Sequence, residues 1–442
     1  MNLIVSHGHA LRGELVLPGD KSLSHRAALF AALADGSSVI ENFLVAGVTQ
    51  SLLGSLSGLG VAWELEGTTL KIIGDGIAGL KSPSAPLDCG NSATTLRLLA
   101  GALAAAGIPA VLDGSPGLRR RPMNRIIGPL REMGARIESE SGGFAPLRLA
   151  GRTAGDKLRS IDYRSPVASA QVKTCLLLAA LPAQGPTKIT EPALSRDHTE
   201  RMLGSMGVQV ESSFSQDGAT VRLFPPDPLR LQPLNFSLPG DFSSAAFLIV
   251  AALITPGSEI ILRGVGLNPT RTGLLDALLE MGADIRIDPK GDQAGEPRGD
   301  LTARYSSLRA TCIAAPQVVG MIDEFPAFTI AAAFAHGSTV VKGASELRHK
   351  ESDRISAICS GLSSLGVGIQ ETPDGYNLQG GTPPLGGRVA ALGDHRLAMA
   401  FAVSGLAAAA PVIVEGAEII SESWPGFPSI LGRMGGMARS DG

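Results

Sequence analysis

Leu17-Pro18-Gly19-Asp20-Lys21-Ser22-Leu23-Ser24-His25-Arg26 is written a second time, without its cations, as Leu238-Pro239-Gly240-Asp241-Phe242-Ser243-Ser244-Ala245-Ala246. Each copy runs into an apolar stretch, residues 27–33 or 247–253. A Gly-Ser pair then opens a strand-like segment, Ser38-Val39-Ile40 or Ser258-Glu259-Ile260-Ile261. A turn that opens a buried helix is thus kept as architecture in both places. Only the first copy sets Lys, Ser and Arg at the helix N-terminus, where free N–H groups and the positive dipole end favour an anion. It reads as a phosphate or carboxylate site; the alternative is a surface turn with a capping Asp or Ser and two solvated cations.

Outward from these turns, six apparent helices end in Leu-Gly or Met-Gly, roughly 70 to 85 residues apart. They are Leu59-Gly60, Met133-Gly134, Met206-Gly207, Met281-Gly282, Leu365-Gly366 and Met434-Gly435. The preceding stretches carry helical periodicity, as in Ile126, Ile127, Leu130 and Met133. The Gly suits a left-handed position just past a helix, and short strand-like segments such as Ala135-Arg136-Ile137 follow. Six copies of one α/β unit are expected, dividing as three and three. The duplicated turns would mark the crossings of a double hinge, giving one domain of residues 21–239 and a second of residues 1–20 with 240–442.

With 442 residues, 44% hydrophobic and 18% charged, the chain can bury large cores, and its 55 Gly and 29 Pro read as many turns. A net charge of −3 argues against a nucleic-acid or anionic-membrane surface, so clustered cations would serve a small, local anion. No apolar segment reaches a membrane span and no signal pattern opens the chain, so a cytoplasmic protein is expected. Cys89, Cys175, Cys312 and Cys359 stand apart without metal spacing, and the seven His form no ligand pair.

Other polar groups gather at the heads of apolar helices. In Asp88-Cys89-Gly90-Asn91-Ser92-Ala93-Thr94-Thr95-Leu96-Arg97, backbone N–H groups and Thr94 could meet an oxyanion, although capping alone also explains Asn91 or Ser92. Arg119-Arg120-Arg121 is either a repelling run offset by an anion or a solvated one. Ser169-Ala170-Gln171-Val172-Lys173 precedes an apolar run, and Ser195-Arg196-Asp197-His198-Thr199-Glu200 resembles a capped helix start with local ion pairing. Asp323 and Glu324 lie between apolar segments, where partial burial raises a carboxyl pKa and prepares proton transfer, unless they only cap a helix. Lys350 and Arg354 are expected to share a face of a solvated helix, and Gly393-Asp394-His395-Arg396 again sets a cation at a helix start.

These stretches, in this order from residue 17 to about 402, resemble the 5-enolpyruvylshikimate-3-phosphate synthases, the enolpyruvyl transferases of the shikimate pathway. The Ser-Ala-Gln and Ser-Arg-Asp-His-Thr-Glu versions are similar to a bacterial branch that includes glyphosate-tolerant members. The resemblance implies an α/β fold of two domains, each of three βαβαββ units. It implies transfer of the enolpyruvyl group of phosphoenolpyruvate to the 5-hydroxyl of shikimate 3-phosphate, through a tetrahedral intermediate that loses phosphate. No metal or organic cofactor is implied, nor any nucleic-acid or membrane partner, and the enzyme would be a monomer.

By the same resemblance Lys21, Ser22, Arg26, Ser169, Ala170, Gln171, Arg196, Asp323 and Lys350 hold shikimate 3-phosphate. Lys21, Ala93, Thr94, Arg121, Gln171, Lys350, Arg354 and Arg396 surround phosphoenolpyruvate. Asp323 would take the proton of the 5-hydroxyl and Glu351 would protonate the methylene carbon, with Lys21 beside them as the third catalytic residue. Two phosphates of about −1.5 to −2 each and two carboxylates would be matched by these cations. Ala93 stands where glyphosate-sensitive relatives carry Gly. One departure is Ile420-Ser421-Glu422-Ser423-Trp424-Pro425, which lacks the phosphoenolpyruvate-binding Lys found there in several members. Two rivals are a transferase acting on a nucleotide sugar and a non-catalytic phosphosugar-binding scaffold. The first would bring a Cys-bearing loop near Arg121. Against the second stand Asp323 and Glu351, because acids inside an anion site cost binding.

Overall fold

Each of the six Leu or Met residues singled out above closes a helix in the structure, a computed structural model that describes residues 1–153, 155–215 and 218–441. The glycines that follow have φ between +81° and +114°. A side chain is strained in that backbone, and glycine is not.

Among the described residues there are six four-stranded sheets, one for each repeat. The sheet that starts at Asp162–Arg164 shows the common plan. A helix, Ala170–Ala180, crosses over to a parallel strand, Thr187–Glu191, with Asp162 opposite Lys188. A second helix, His198–Ser205, leads into the antiparallel hairpin Val210–Ser215 and Gly218–Leu223, whose second strand lies against Thr187–Glu191. A parallel pair needs a long crossover and an antiparallel pair only a turn, so this order of elements is what a βαβαββ unit requires. The sheet built from the chain's far ends follows the plan too: Asn2–Ser6 pairs antiparallel with both Val412–Glu415 and Met437–Asp441.

The chain folds as two units. One, here the split unit, comprises Met1–Pro18, Pro239–Gly291 and Pro297–Gly442; the other, the inserted unit, comprises Gly19–Leu238 with Asp292–Glu296. Within the split unit the Asp241 N–H donates to the Pro18 carbonyl at 2.9 Å, so its two cut ends lie side by side. In the inserted unit the Asn42 amide reaches the Leu238 carbonyl at 3.0 Å.

Each unit has its own core around three helices that are apolar on nearly every side. They are Lys21–Leu33, Ala93–Ala106 and Ala170–Ala180 in the inserted unit, and Phe242–Ile254, Phe325–Phe334 and His395–Ser404 in the split unit. A helix without a polar face belongs inside, and its polar residues are confined to its ends. Chemistry-bearing groups therefore collect at the helix heads. Among the described residues no helix is long and apolar enough to cross a membrane.

Candidate active site

In the inserted unit the three core helices are capped by Asp20, Ser92 and Ser169, whose side chains accept the N–H groups of Leu23, Thr95 and Val172. Gly101 sets the distance between the Ala93 and Ala170 helices. A Cβ on it would lie 2.2 Å from the Cys175 carbonyl oxygen, so only glycine permits this backbone approach. The approach brings the two heads into hydrogen-bonding range: Gln171 Nε2 donates to Thr94 Oγ1 at 2.8 Å, and Arg97 Nη1 donates to Gln171 Oε1 at 2.6 Å. The Gln171 amide is thereby oriented at both ends, and the Thr94 hydroxyl keeps its own proton for another acceptor. Arg97 Nη2 also holds the Pro122 carbonyl at 3.1 Å, next to half-buried Arg121. Arg97 has no assigned role in the sequence reading; its partners come from segments too far along the chain for spacing to reveal.

His25 joins two of the heads. Its Nδ1 lies 2.7 Å from the Lys21 carbonyl and its Nε2 3.3 Å from Ser92 Oγ. A carbonyl can only accept, so Nδ1 carries the proton. Burial pushes the imidazole pKa down to about 4, which keeps the ring neutral at ordinary pH.

Arg26 is almost fully buried. Its Nε donates to Thr199 Oγ1 at 2.9 Å, Nη1 to the Ser22 carbonyl at 3.1 Å, and Nη2 to Thr174 Oγ1 at 2.8 Å and the Ala170 carbonyl at 3.4 Å. Burial pushes its pKa down to about 10, with the Glu200 charge opposing. All three guanidinium nitrogens thus serve protein acceptors, tying Ser22, Ala170 and Thr199 together. Arg196 stands half-buried beside them, its Nη1 3.5 Å from Ser22 Oγ. The three-arginine run divides: Arg119 grips Asp113 through two nitrogens, Nη2 donating to Oδ2 at 2.5 Å and Nε to Oδ1 at 2.8 Å. Ala93 is 1% exposed, in the first turn of its helix.

In the split unit the acids and cations meet around Arg354, which is fully buried. It reaches Asp394 at 2.8 Å, Glu351 at 2.7 Å and Asp323 at 3.4 Å. Burial works against its charge, but the three carboxylates outweigh burial and hold its pKa above the ordinary value. Arg396 Nη1 donates to the Asp323 carbonyl at 3.0 Å and its Nη2 lies 3.6 Å from the Asp323 carboxylate. Asp323, Glu351, Arg354 and Arg396 therefore form one cluster, with half-buried Lys350 next in sequence to Glu351.

The expected helical face shared by Lys350 and Arg354 does not exist. Ser345–His349 is a short 3-10 segment, Lys350 leaves it in extended backbone, and Asp353 caps a new helix that begins at Arg354. Asp394 has two duties, pairing with Arg354 and capping His395–Ser404 through the Arg396 N–H at 2.9 Å.

Behind this cluster, Glu324 is fully buried, accepts the Ser243 hydroxyl and lies 3.6 Å from Arg271. Arg271 also reaches Asp241 at 3.2 Å and Ser243 Oγ at 2.6 Å. The cation-free copy of the duplicated turn thus receives its cation from a distant segment. Ile420–Pro425, without the expected Lys, instead packs Trp424 against Phe427 in the core, ring centroids 5.3 Å apart.

A family model described as EPSP synthase (3-phosphoshikimate 1-carboxyvinyltransferase) matches residues 5–431. A 3-phosphoshikimate 1-carboxyvinyltransferase of Xanthomonas campestris pv. campestris (strain 8004) is 51% identical over 429 residues, covering 97% of this chain and 95% of the relative. One of Xanthomonas axonopodis pv. citri (strain 306) is 49% identical over 434 residues, with coverages of 98% and 96%. Among solved structures, an EPSP synthase from Acinetobacter baumannii superimposes with a TM-score of 0.87 at 39% identity, covering 99% of this chain and all of that one. The enolpyruvyl transferase NikO from Streptomyces tendae, at 18% identity and a TM-score of 0.79 over 99% of this chain and 98% of its own, shares the fold.

Proposed function

The chain belongs to the EPSP synthase family, and from that premise we propose that it joins the enolpyruvyl group of phosphoenolpyruvate to the 5-hydroxyl of shikimate 3-phosphate, releasing phosphate. The observation that carries this reading is the placing of two carboxylates, Asp323 and Glu351, on one buried arginine, Arg354. An anion-binding guanidinium with two acids on it suits a reaction that brings an anion together with two proton transfers. In this reading Asp323 accepts the 5-hydroxyl proton as the oxygen attacks C2 of phosphoenolpyruvate. Glu351 delivers a proton to C3, giving a tetrahedral ketal. Loss of phosphate from C2 and of one proton from the new methyl group then restores the double bond.

Shikimate 3-phosphate is assigned to Lys21, Ser22, Arg26, Ser169, Ala170, Gln171, Arg196, Asp323 and Lys350. Phosphoenolpyruvate is assigned to Lys21, Ala93, Thr94, Arg121, Gln171, Lys350, Arg354 and Arg396, and Lys21 assists catalysis. The enzyme would work as a cytoplasmic monomer in aromatic amino acid biosynthesis. Phosphate should be released when the protein meets both substrates and not with either alone; release that does not need shikimate 3-phosphate would refute the assignment.

Arg121→Ala is expected to weaken phosphoenolpyruvate by about 1.5–3 kcal/mol, the worth of a hydrogen bond to a charged group, and shikimate 3-phosphate by much less. Calorimetric titration with each ligand checks this, and equal weakening would place Arg121 on the wrong substrate.

The glyphosate-tolerant branch is proposed on Ala93. Its methyl is buried in the first turn of the helix where Thr94 stands, and in this reading it takes space that an inhibitor longer than phosphoenolpyruvate would need. Overpacking costs on the order of 1–3 kcal/mol, so Ala93→Gly should bind glyphosate about tenfold more tightly or better. Inhibition constants competitive with phosphoenolpyruvate decide it; a Gly variant no more sensitive than its parent clears the methyl of any part in tolerance.

A further inference from the structure

One buried cluster in the inserted unit has no part in the chemistry above. Lys173 Nζ lies 3.2 Å from Glu191 and 2.7 Å from Glu200, and the three residues are 1%, 2% and 7% exposed. Burial opposes the Lys173 charge, but the two carboxylates outweigh it and hold its pKa above the ordinary value. The Glu200 charge also acts on buried Arg26, so two anions and two cations share this interior. Apolar side chains of similar volume would stabilise a core as well or better, so the charges call for a positional explanation.

The bonds of Glu191 supply it. Glu191 ends the strand Thr187–Glu191, and its two oxygens point to two different segments. Oε1 accepts the Ser169 N–H at 2.7 Å; Oε2 accepts the Ser195 hydroxyl at 2.6 Å. Lys173 holds Ser195 from the other side, donating to its carbonyl at 3.3 Å. The Ser195 hydroxyl proton is therefore spent inward. The Ser169 hydroxyl accepts from the Val172 N–H and keeps its proton for an outside acceptor. Ser169 and Arg196, the residues presented by these two anchored segments, are both assigned to shikimate 3-phosphate.

We infer that Glu191, neutralised by Lys173, is a positioning residue that fixes Ser169 and Arg196 relative to each other as a cradle for the 3-phosphate group. A bare carboxylate behind a phosphate cradle would repel the ligand; Lys173 and Arg26 together offset the charges of Glu191 and Glu200. Glu191 acts through Ser169 and Arg196 and does not touch substrate. The inference rests on the substrate assignment given above.

Glu191→Gln tests it. The amide cannot accept both the Ser169 N–H and the Ser195 hydroxyl through two equivalent oxygens. Affinity for shikimate 3-phosphate should fall about tenfold or more. Affinity for shikimate, which lacks the phosphate, and the KM for phosphoenolpyruvate should change by less than about twofold. Ser195→Ala, which removes one anchor without touching a charge, should show the same selectivity at about threefold. Melting curves of both variants, taken alongside, show that the chains compared are folded. Parallel loss of shikimate and shikimate 3-phosphate binding would overturn the inference, as would unchanged shikimate 3-phosphate binding in both variants. A wild-type protein that fails to bind shikimate 3-phosphate at all would instead refute the substrate assignment.

Discussion

Asp323→Asn should lower turnover by about 10²-fold or more while shikimate 3-phosphate still binds nearly as well, and Glu351→Gln should do the same. Both changes keep shape and one acceptor oxygen, so Arg354 retains hydrogen-bond partners at both positions, now 3.4 Å and 2.7 Å away. What disappears is a group able to take up or give up a proton. The residual rate should come from substrate binding and from the Arg354 and Arg396 charges, which neither variant removes. Steady-state phosphate release gives turnover and calorimetry gives affinity. Near-normal turnover in both variants would remove the proposed proton carriers.

The second large effect concerns stability. Asp394→Ala should lower the unfolding free energy of the split unit by about 3–5 kcal/mol, because it leaves the guanidinium of fully buried Arg354 without its 2.8 Å partner. The same change strips the side-chain cap from His395–Ser404, a further loss of about 1 kcal/mol. The chain has two Trp, Trp63 in the inserted unit and buried Trp424 in the split unit. A Trp63→Phe background therefore makes fluorescence a reporter of the unit in question. A loss below about 1 kcal/mol in urea would mean that Glu351 and Asp323 suffice for Arg354.

The repeat was legible because its marks are local. A Leu-Gly or Met-Gly helix end depends on the backbone of one residue, and all six glycines adopt the left-handed conformation. Helix heads rich in Ser, Asp and Thr were legible for the same reason, and Asp20, Ser92 and Ser169 do cap. Pairings between segments were not legible. Nothing near Arg26 in sequence marks its bond to Thr199, and nothing near Asp241 announces Arg271. Periodicity tells which face of a helix is buried, but not which distant group meets it. Gly101 lies in an apolar run where it looks like any small core residue, yet its missing side chain brings Gln171 to Thr94. The helical face expected for Lys350 and Arg354 failed for a local reason: Asp353 competes as a cap, so the helix starts only at Arg354, and Lys350 lies outside it.

The strand Asn2–Ser6 is synthesised long before its two partners, Val412–Glu415 and Met437–Asp441. At roughly 5–20 residues per second, tens of seconds separate them. Apart from the short Asp292–Glu296 piece, the inserted unit is fully synthesised by Leu238 and can close its core while translation continues. The split unit must hold this strand unpaired until the chain has been made as far as Val412–Glu415. During synthesis Asn2–Ser6 is thus an unpaired strand open to aggregation, a stretch that a chaperone would protect.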